Sequence, residues 1–291
     1  MKKLISLFLS VSVLLLAACS KQPDTASSEQ KNDAAGLQTV VIASTGSDAD
    51  IWRHIASLPE TKAAGIKLEV KNFTDYVAMN TAVANKEVDL NAFQSYAYLV
   101  AFNAANKDKI APVSTTYLEP MGIYSNKVKK VEEFAQGATI AIPNDGANES
   151  RALLLLQSAG LIKLKPDFDP VKGTPADIIE NSKKIVIKPI QMATAVRVKD
   201  EVDAILLGNT LAMEGGLNVL KDAIYYEPID QSTKLNVNIL ATAESRKDDP
   251  VLQKVGALYH TEAVKQYVQE HFAGTKVDVN KPISYLTEAN P

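Results

Sequence analysis

The chain has 291 residues, enough for one or two domains with a sizeable core. Its 31 Lys and Arg against 34 Asp and Glu leave a net charge of −3, which offers no support for nucleic-acid binding. A single cysteine rules out an intramolecular disulfide and any multi-cysteine metal site, and three scattered histidines (His54, His260, His271) supply little for a zinc or histidine-based centre.

At the N-terminus, Lys2 and Lys3 precede a fifteen-residue apolar run from Leu4 to Ala18. That run is short of the roughly 20 residues of a membrane-spanning helix and suits a signal peptide. It ends Leu16-Ala17-Ala18-Cys19, which resembles the bacterial lipobox, whose cysteine is acylated and becomes the new N-terminus. Residues 1–18 are therefore expected to be a lipoprotein signal peptide, Cys19 the lipidation site, and 19–36 a flexible tether, being small, polar and aperiodic. Each buried acyl methylene contributes about 0.8 kcal/mol, so several chains hold a soluble domain at a membrane. The expected location is the cell envelope, facing the periplasm or cell exterior.

From Thr39 the pattern alternates between strand-like and helix-like segments. Thr39–Ala43 reads as a strand, 50–63 as a helix, Ile66–Val70 as a strand, Tyr76–Asn85 as a helix, Val88–Phe93 as a strand and Tyr96–Asn106 as a helix. Ala111–Tyr117 and Met121–Tyr124 are strand candidates on either side of Glu119-Pro120. Val131–Ala135 suggests a short helix, Ala138–Pro143 a buried strand, and Asn148–Ala159 a strong helix stopped by Gly160. Lys184–Lys188, Val202–Leu207 and Val237–Thr242 read as strands, with a polar connector over 228–236, and two helices close the chain. Such alternation predicts an α/β chain with mainly parallel sheets. The expected division is one lobe from 37–118 plus 237–291 and another from 119–236, with crossovers near 117–121 and 232–236 forming a hinge and the ligand cleft lying between the lobes.

The globular part contains no G-x-S-x-G, Walker A, G-x-G-x-x-G or H-E-x-x-H string. Asp48 and Asp50 lie near His54, but a solvated helix N-terminus with favourable acids explains them better than a metal site. His260 and His271 read as surface residues. No catalytic residue, metal or cofactor is expected.

Aromatic and polar residues at strand ends are the more informative set. Phe93, Tyr96 and Tyr98 follow the end of one strand, and Tyr76 starts the helix before it. Arg151 is placed in the first turn of an otherwise apolar helix, where a guanidinium and helix N–H groups would converge on a carboxylate; the alternative is an ion pair to Glu149 or Asp145. Asn209 follows the strand VDAILLG.

With these residues the chain resembles the NlpA/MetQ-type lipoproteins, methionine-binding components of ABC importers, over nearly its whole mature length. The shared strings are 73–76 (FTDY), 89–94 (DLNAFQ), 119–125 (EPMGIYS), 141–145 (AIPND) and 148–165 (NESRALLLLQSAGLIKLK). The resemblance implies a type II periplasmic-binding-protein-like fold, no catalysis, and L-methionine handed to a membrane permease driven by an ATPase. Position by position, it implies that Tyr76, Phe93 and Tyr98 pack around the ligand side chain, that Arg151 binds the α-carboxylate, and that Asn209 and Asn236 hold the amino-acid head group. The chain departs from the family's usual strings at Ser95 and Ala97, where His and Pro are usual, at Gln191-Met192-Ala193-Thr194, and at Asn209-Thr210-Leu211. Ser95 bears on specificity, so D-methionine, another amino acid or a short peptide are the alternative ligands. A non-transport surface lipoprotein and a tethered enzyme are the alternative classes.

Overall fold

The computed structural model describes residues 36–288; the expected signal peptide, Cys19 and the tether up to residue 35 lie outside the described residues. The chain opens with β1 (Gln38–Ser44), α1 (Gly46–Ser57), α2 (Pro59–Ala63), β2 (Ile66–Asn72), α3 (Tyr76–Ala84), β3 (Leu90–Ser95), α4 (Tyr96–Ala105), β4 (Ile110–Thr115) and the short β5 (Tyr117–Leu118). It crosses over to β6 (Met121–Tyr124), β7 (Thr139–Pro143), α5 (Gly146–Ser158), β8 (Lys163–Leu164), β9 (Ile178–Glu180), β10 (Val186–Ile190), β11 (Ala204–Gly208), α6 (Asn209–Glu214), α7 (Val219–Asp222) and β12 (Tyr225–Tyr226). It then returns as β13 (Asn238–Ala243), α8 (Pro250–Tyr259), α9 (Glu262–Phe272), β14 (Val277–Asp278) and α10 (Ser284–Thr287).

Two five-stranded sheets result, ordered β2-β1-β3-β13-β4 and β10-β7-β11-β6-β12. Each has a parallel half, β2-β1-β3 and β10-β7-β11, as consecutive β–α–β connections require. The other half is antiparallel, because β13 enters the first sheet from the opposite lobe and β6 enters the second the same way. The expectation of mainly parallel sheets is thus met only in those halves.

Helices cover both faces of both sheets, and the strands read as apolar runs for that reason. Alternate residues of β1 point to opposite faces. Val40 and Ile42 pack with Trp52 and Ile55 of α1 and with Leu252 and Val255 of α8. Val41 and Ala43 pack with Met79 and Val83 of α3 and with Leu99 and Phe102 of α4. In the second sheet, Ile140, Ile142, Ala204 and Leu206 meet Leu153 and Leu156 of α5, while Ala141, Ile205 and Leu207 face Ala212 and Val219. No helix among the described residues is long and apolar enough to cross a membrane.

Several boundaries differ from the sequence reading for local reasons. The helix expected at Val131–Ala135 is a single 3-10 turn, Val131–Glu133, because Phe134 leaves it with extended ψ. The strand expected from Lys184 begins at Val186, since Lys184 adopts a left-handed turn conformation with φ 54°. α5 starts at Gly146, capped by Asp145, whose carboxylate accepts from the Asn148 N–H at 3.1 Å. Arg151 is therefore the sixth residue of its helix and lies beyond the first turn.

A buried polar network ties the two lobes together. Lys276, whose side chain is fully buried, donates to Asp48 Oδ1 at 2.8 Å, to Glu119 Oε2 at 2.6 Å and to Thr210 Oγ1 at 2.8 Å. Its ammonium also lies 4.0 Å from the centre of the Tyr117 ring. These partners come from α1, the first crossover and α6, so one cation joins three separate segments. Burial disfavours the ammonium, yet Asp48 and Glu119 outweigh it and hold Lys276 above its ordinary range. Burial likewise opposes ionisation of Glu119, but Lys276 and the Asn209 and Thr210 hydrogen bonds bring it below the usual carboxylate range. Asp48, for which burial dominates, is pushed up. The solvated helix N-terminus expected at Asp48 is therefore incorrect: this acid is 2% exposed and ion-paired. His260 is also not a surface residue, because its ring bonds Asp278 and the Thr115 carbonyl with its side chain 8% exposed.

Two stability predictions follow from this packing. Replacing a helical glycine by alanine ordinarily gains about 0.5–1 kcal/mol, but a Cβ at Gly256 would lie 2.6 Å from Ser114 Cβ, where α8 crosses β4. The overpacking cost of about 1–3 kcal/mol wins, so Gly256→Ala lowers Tm by about 2–8 °C in a calorimetric scan; an unchanged or raised Tm contradicts the close approach. Lys276→Met strands two buried carboxylates and costs about 3–5 kcal/mol at pH 7. Without the cation both carboxyls titrate above their unfolded values, so their contribution is present at low pH and lost as pH rises. Urea denaturation therefore finds the deficit against wild type smaller at pH 5 than at pH 7, and a deficit that widens on acidification contradicts the network.

Candidate functional site: the cleft between the lobes

The cleft lies at the carboxyl ends of the parallel strands, where side chains leave the sheets unpaired and loops diverge. From the first lobe it receives Asp48, Tyr76, Phe93, Gln94, Ser95, Tyr98 and Asn238, and from the second Asn148, Arg151, Met192, Gly208, Thr210 and Leu211, with Glu119 at the crossover. The inner chamber spans about 520 Å³, open to solvent. It shares Tyr76, Tyr98, Met192 and Leu211 with an outer chamber of about 820 Å³ lined also by Asp75, Asp145 and Glu214.

Capped helix starts hold the first-lobe aromatics in place. Asp75 accepts from the Ala78 N–H at 2.7 Å and fixes the start of α3 at Tyr76, while the Ser95 hydroxyl accepts from the Tyr98 N–H at 3.2 Å and fixes α4. The rings then form a triad: Tyr76 to Phe93 at 5.0 Å, Phe93 to Tyr98 at 5.8 Å and edge-to-face, and Tyr76 to Tyr98 at 6.2 Å and perpendicular. Burial pushes the Tyr76 and Tyr98 hydroxyls up, so both are protonated donors at neutral pH. Beneath them a closed amide network locks α3 to β3. Asn80 donates to Gln94 Oε1 at 2.9 Å, and Gln94 donates to Asn80 Oδ1 at 2.7 Å and to Asn91 Oδ1 at 2.8 Å.

On the opposite wall, Arg151 is buried and its guanidinium is held along one edge. Nε donates to Glu227 Oε1 at 2.9 Å, and Nη2 donates to Glu227 Oε2 at 2.6 Å and to the Glu119 carbonyl at 2.8 Å. Nη1 makes no hydrogen bond among the described residues. The partner is thus Glu227, 76 positions away, and neither Glu149 nor Asp145. Among the described residues this leaves an oriented guanidinium with one N–H₂ unpaired, on a residue that lines the cleft.

The structure brings Tyr76, Phe93, Ser95, Tyr98 and Arg151 to the cleft, but not Asn209 or Asn236. Asn209 turns into the buried network, donating to Glu119 Oε2 at 3.1 Å and Thr275 Oγ1 at 2.9 Å, with its Oδ1 buried and unpartnered. Asn236 donates to Glu227 Oε1 at 3.3 Å. Asn238, two positions on, lines the cleft instead, and sits opposite Ser95 in the β13–β3 register. Asn238, Gln94, Asn148, Glu119 and Met192 line the cleft without having been singled out as site residues by the sequence, and Asp48 joins them where a solvated helix start was expected. Asn236 ends a 3-10 turn ahead of the strand whereas Asn238 opens β13, and where that strand begins is set by its partner. Tyr96 packs against the first-lobe core and does not line the cleft. No group of three or more His, Cys, Asp or Glu among the described residues could hold a metal ion.

A family model described as NlpA lipoprotein matches residues 40–280. A protein of Pasteurella multocida named "Probable D-methionine-binding lipoprotein MetQ" is 35% identical over 272 residues, covering 94% of this chain and 96% of its own length. Among solved structures, the substrate binding protein of a methionine transporter from Streptococcus pneumoniae is 38% identical with a TM-score of 0.75, covering 83% of this chain and 95% of that one. A nutrient binding protein from Burkholderia cenocepacia, bound to methionine, is 34% identical with a TM-score of 0.76, covering 82% and 99%. These likenesses extend over both lobes, and with them the two-lobed periplasmic-binding-protein fold is shown. Since its family match runs from the first strand of one lobe, through the whole of the other, and back into the first as far as β14, the chain belongs to the NlpA lipoprotein family.

Proposed function

We propose that this protein is a lipid-anchored solute receptor that captures L-methionine between its lobes and delivers it to the permease of an ABC importer. The observation that carries the reading is the pairing of an aromatic triad on one wall with a pre-oriented guanidinium on the other. An unbranched thioether gains from burial against aromatic rings and from sulfur–aromatic contacts. A carboxylate gains a charge-assisted hydrogen bond from Arg151. The amides of Asn148 and Asn238 around the same chamber supply acceptors for an ammonium. The relatives named for D-methionine and the neighbour bound to methionine support the same ligand class.

In this reading Tyr76, Phe93 and Tyr98 enclose the side chain, Arg151 reads the carboxylate, and Ser95 shapes the corner beside the triad. Asn209 and Asn236 act from behind, through Glu119 and Glu227. The lobes hinge where the chain leaves Leu118 and where it resumes at Val237, and binding involves no covalent chemistry. Cys19 carries the lipid, and the domain sits in the cell envelope outside the cytoplasm. The outer chamber, which shares Tyr76 and Met192 with the inner one, favours as second reading a ligand one residue longer, a short peptide.

A thermal-shift panel of the twenty amino acids, D-methionine and methionine-containing dipeptides tests the ligand. L-Methionine gives the largest stabilisation, with modest margins over ligands differing by one methylene, because such a group is worth only about 1–3 kcal/mol. A larger shift from a dipeptide with none from L-methionine would overturn the methionine assignment and leave the receptor role standing. The anchor is tested separately: wild type incorporates labelled palmitate and accumulates as precursor under globomycin, whereas Cys19→Ala does neither. Wild type that takes up no label removes the lipid anchor.

A further inference from the structure

The Arg151 side chain has five N–H donors, and how they are shared out decides what it presents to the cleft. Glu227 takes the Nε edge with both of its oxygens, at 2.9 and 3.1 Å from Nε and 2.6 Å from Nη2. The same carboxylate is itself held: Oε2 accepts from the Met121 N–H at 2.7 Å and Oε1 from Asn236 Nδ2 at 3.3 Å. Glu227 is 6% exposed and does not line the cleft. It stands just after β12 at the start of the second crossover, while Glu119, whose carbonyl accepts from Nη2 at 2.8 Å, lies in the first.

From this arrangement we infer that Glu227 is a positioning residue: it grips Arg151 along one edge so that Nη1 faces the ligand carboxylate, and it anchors that grip to the crossover. The inference rests on the reading that Arg151 binds a carboxylate. Three features support it. A long, flexible cation gripped along two donors loses its rotational freedom before the ligand arrives, which lowers the cost of binding. The planar fork of guanidinium against carboxylate fixes direction as well as distance, which a lysine or a single hydrogen bond would not. The Arg151–Glu227 pair is moreover neutral as a unit, so a ligand carboxylate brought to Nη1 needs its own ammonium for balance in a buried site. The arrangement suits a zwitterion better than a simple anion.

Calorimetric titration of L-methionine against L-methioninamide, which keeps the side chain and ammonium but lacks the carboxylate, separates positioning from structural support. Wild type prefers methionine by at least about 30-fold, as expected for a desolvated charge pair, and Arg151→Ala loses most of that preference. Glu227→Asp keeps the charge but withdraws it by one methylene, and Glu227→Gln keeps the shape but sets an amide against the Arg151 and Met121 donors. In either folded variant the methionine-to-methioninamide ratio drops at least about tenfold while methioninamide affinity stays within about threefold. A residue that merely supports the fold would weaken both ligands alike. A ratio within threefold of wild type in whichever of these variants folds overturns the inference about Glu227 and spares the Arg151 reading. No preference in wild type, or a preference that survives Arg151→Ala, overturns both.

Discussion

A buried ammonium is tolerable only where carboxylates replace its water, and Lys276 sets that condition for the whole molecule. Its three acceptors come from α1 of the first lobe, from the first crossover and from α6 of the second. Its two carboxylates come from the first lobe and the crossover and the second lobe adds the Thr210 hydroxyl, so the full set of acceptors is assembled only where the lobes meet. Glu119 and Thr210, gathered by this cation, also line the cleft, and Asn209 is turned away from the cleft by the same network. The geometry of the site is thus downstream of an ion cluster that takes no direct part in the proposed recognition.

The two walls of the cleft are built by different physics. The aromatic part of the first-lobe wall, Tyr76, Phe93 and Tyr98, is preorganised by local means: side-chain caps start α3 and α4 at fixed residues, and buried amides lock the first of these helices to β3. These elements lie within a segment of about thirty residues, which ring stacking then consolidates. The second-lobe wall is polar and assembled from distant parts. Arg151, Glu227, Glu119 and Asn236 meet only after both crossovers are in place. A receptor that must open and close benefits from that division, since the aromatic part keeps its shape within one lobe while the polar wall is tied to the segments on which the lobes would turn.

Fold class and the location of the cleft were legible in the sequence because they depend on periodicities that a single chain displays. Apolar runs in β1, β7 and β13 reported strands buried on both faces, and the Asn148–Ala159 pattern reported a helix against one of them. The aromatic set Tyr76, Phe93 and Tyr98 was legible for the same reason, as each lies at a strand end or a helix start. Boundaries slipped where one residue's backbone decides the matter, as at Lys184 with its positive φ and at Phe134.

Only the tertiary structure decided the charge partners. Glu149 and Asp145 are Arg151's neighbours in sequence, yet Asp145 is spent on capping α5 and the partner is Glu227. Asp48 looks like a solvated helix-start acid until Lys276, 228 positions away, is packed against it. That Asn238 and not Asn236 reaches the cleft rests on where β13 begins: Asn236 lies in the turn before it, and Asn238 is the first residue paired with β3. Apolar burial is a property of each residue and leaves a periodic trace along the chain. A buried charge is stabilised by whichever opposite charge the fold brings within about 3 Å, and nothing local in sequence records that distance.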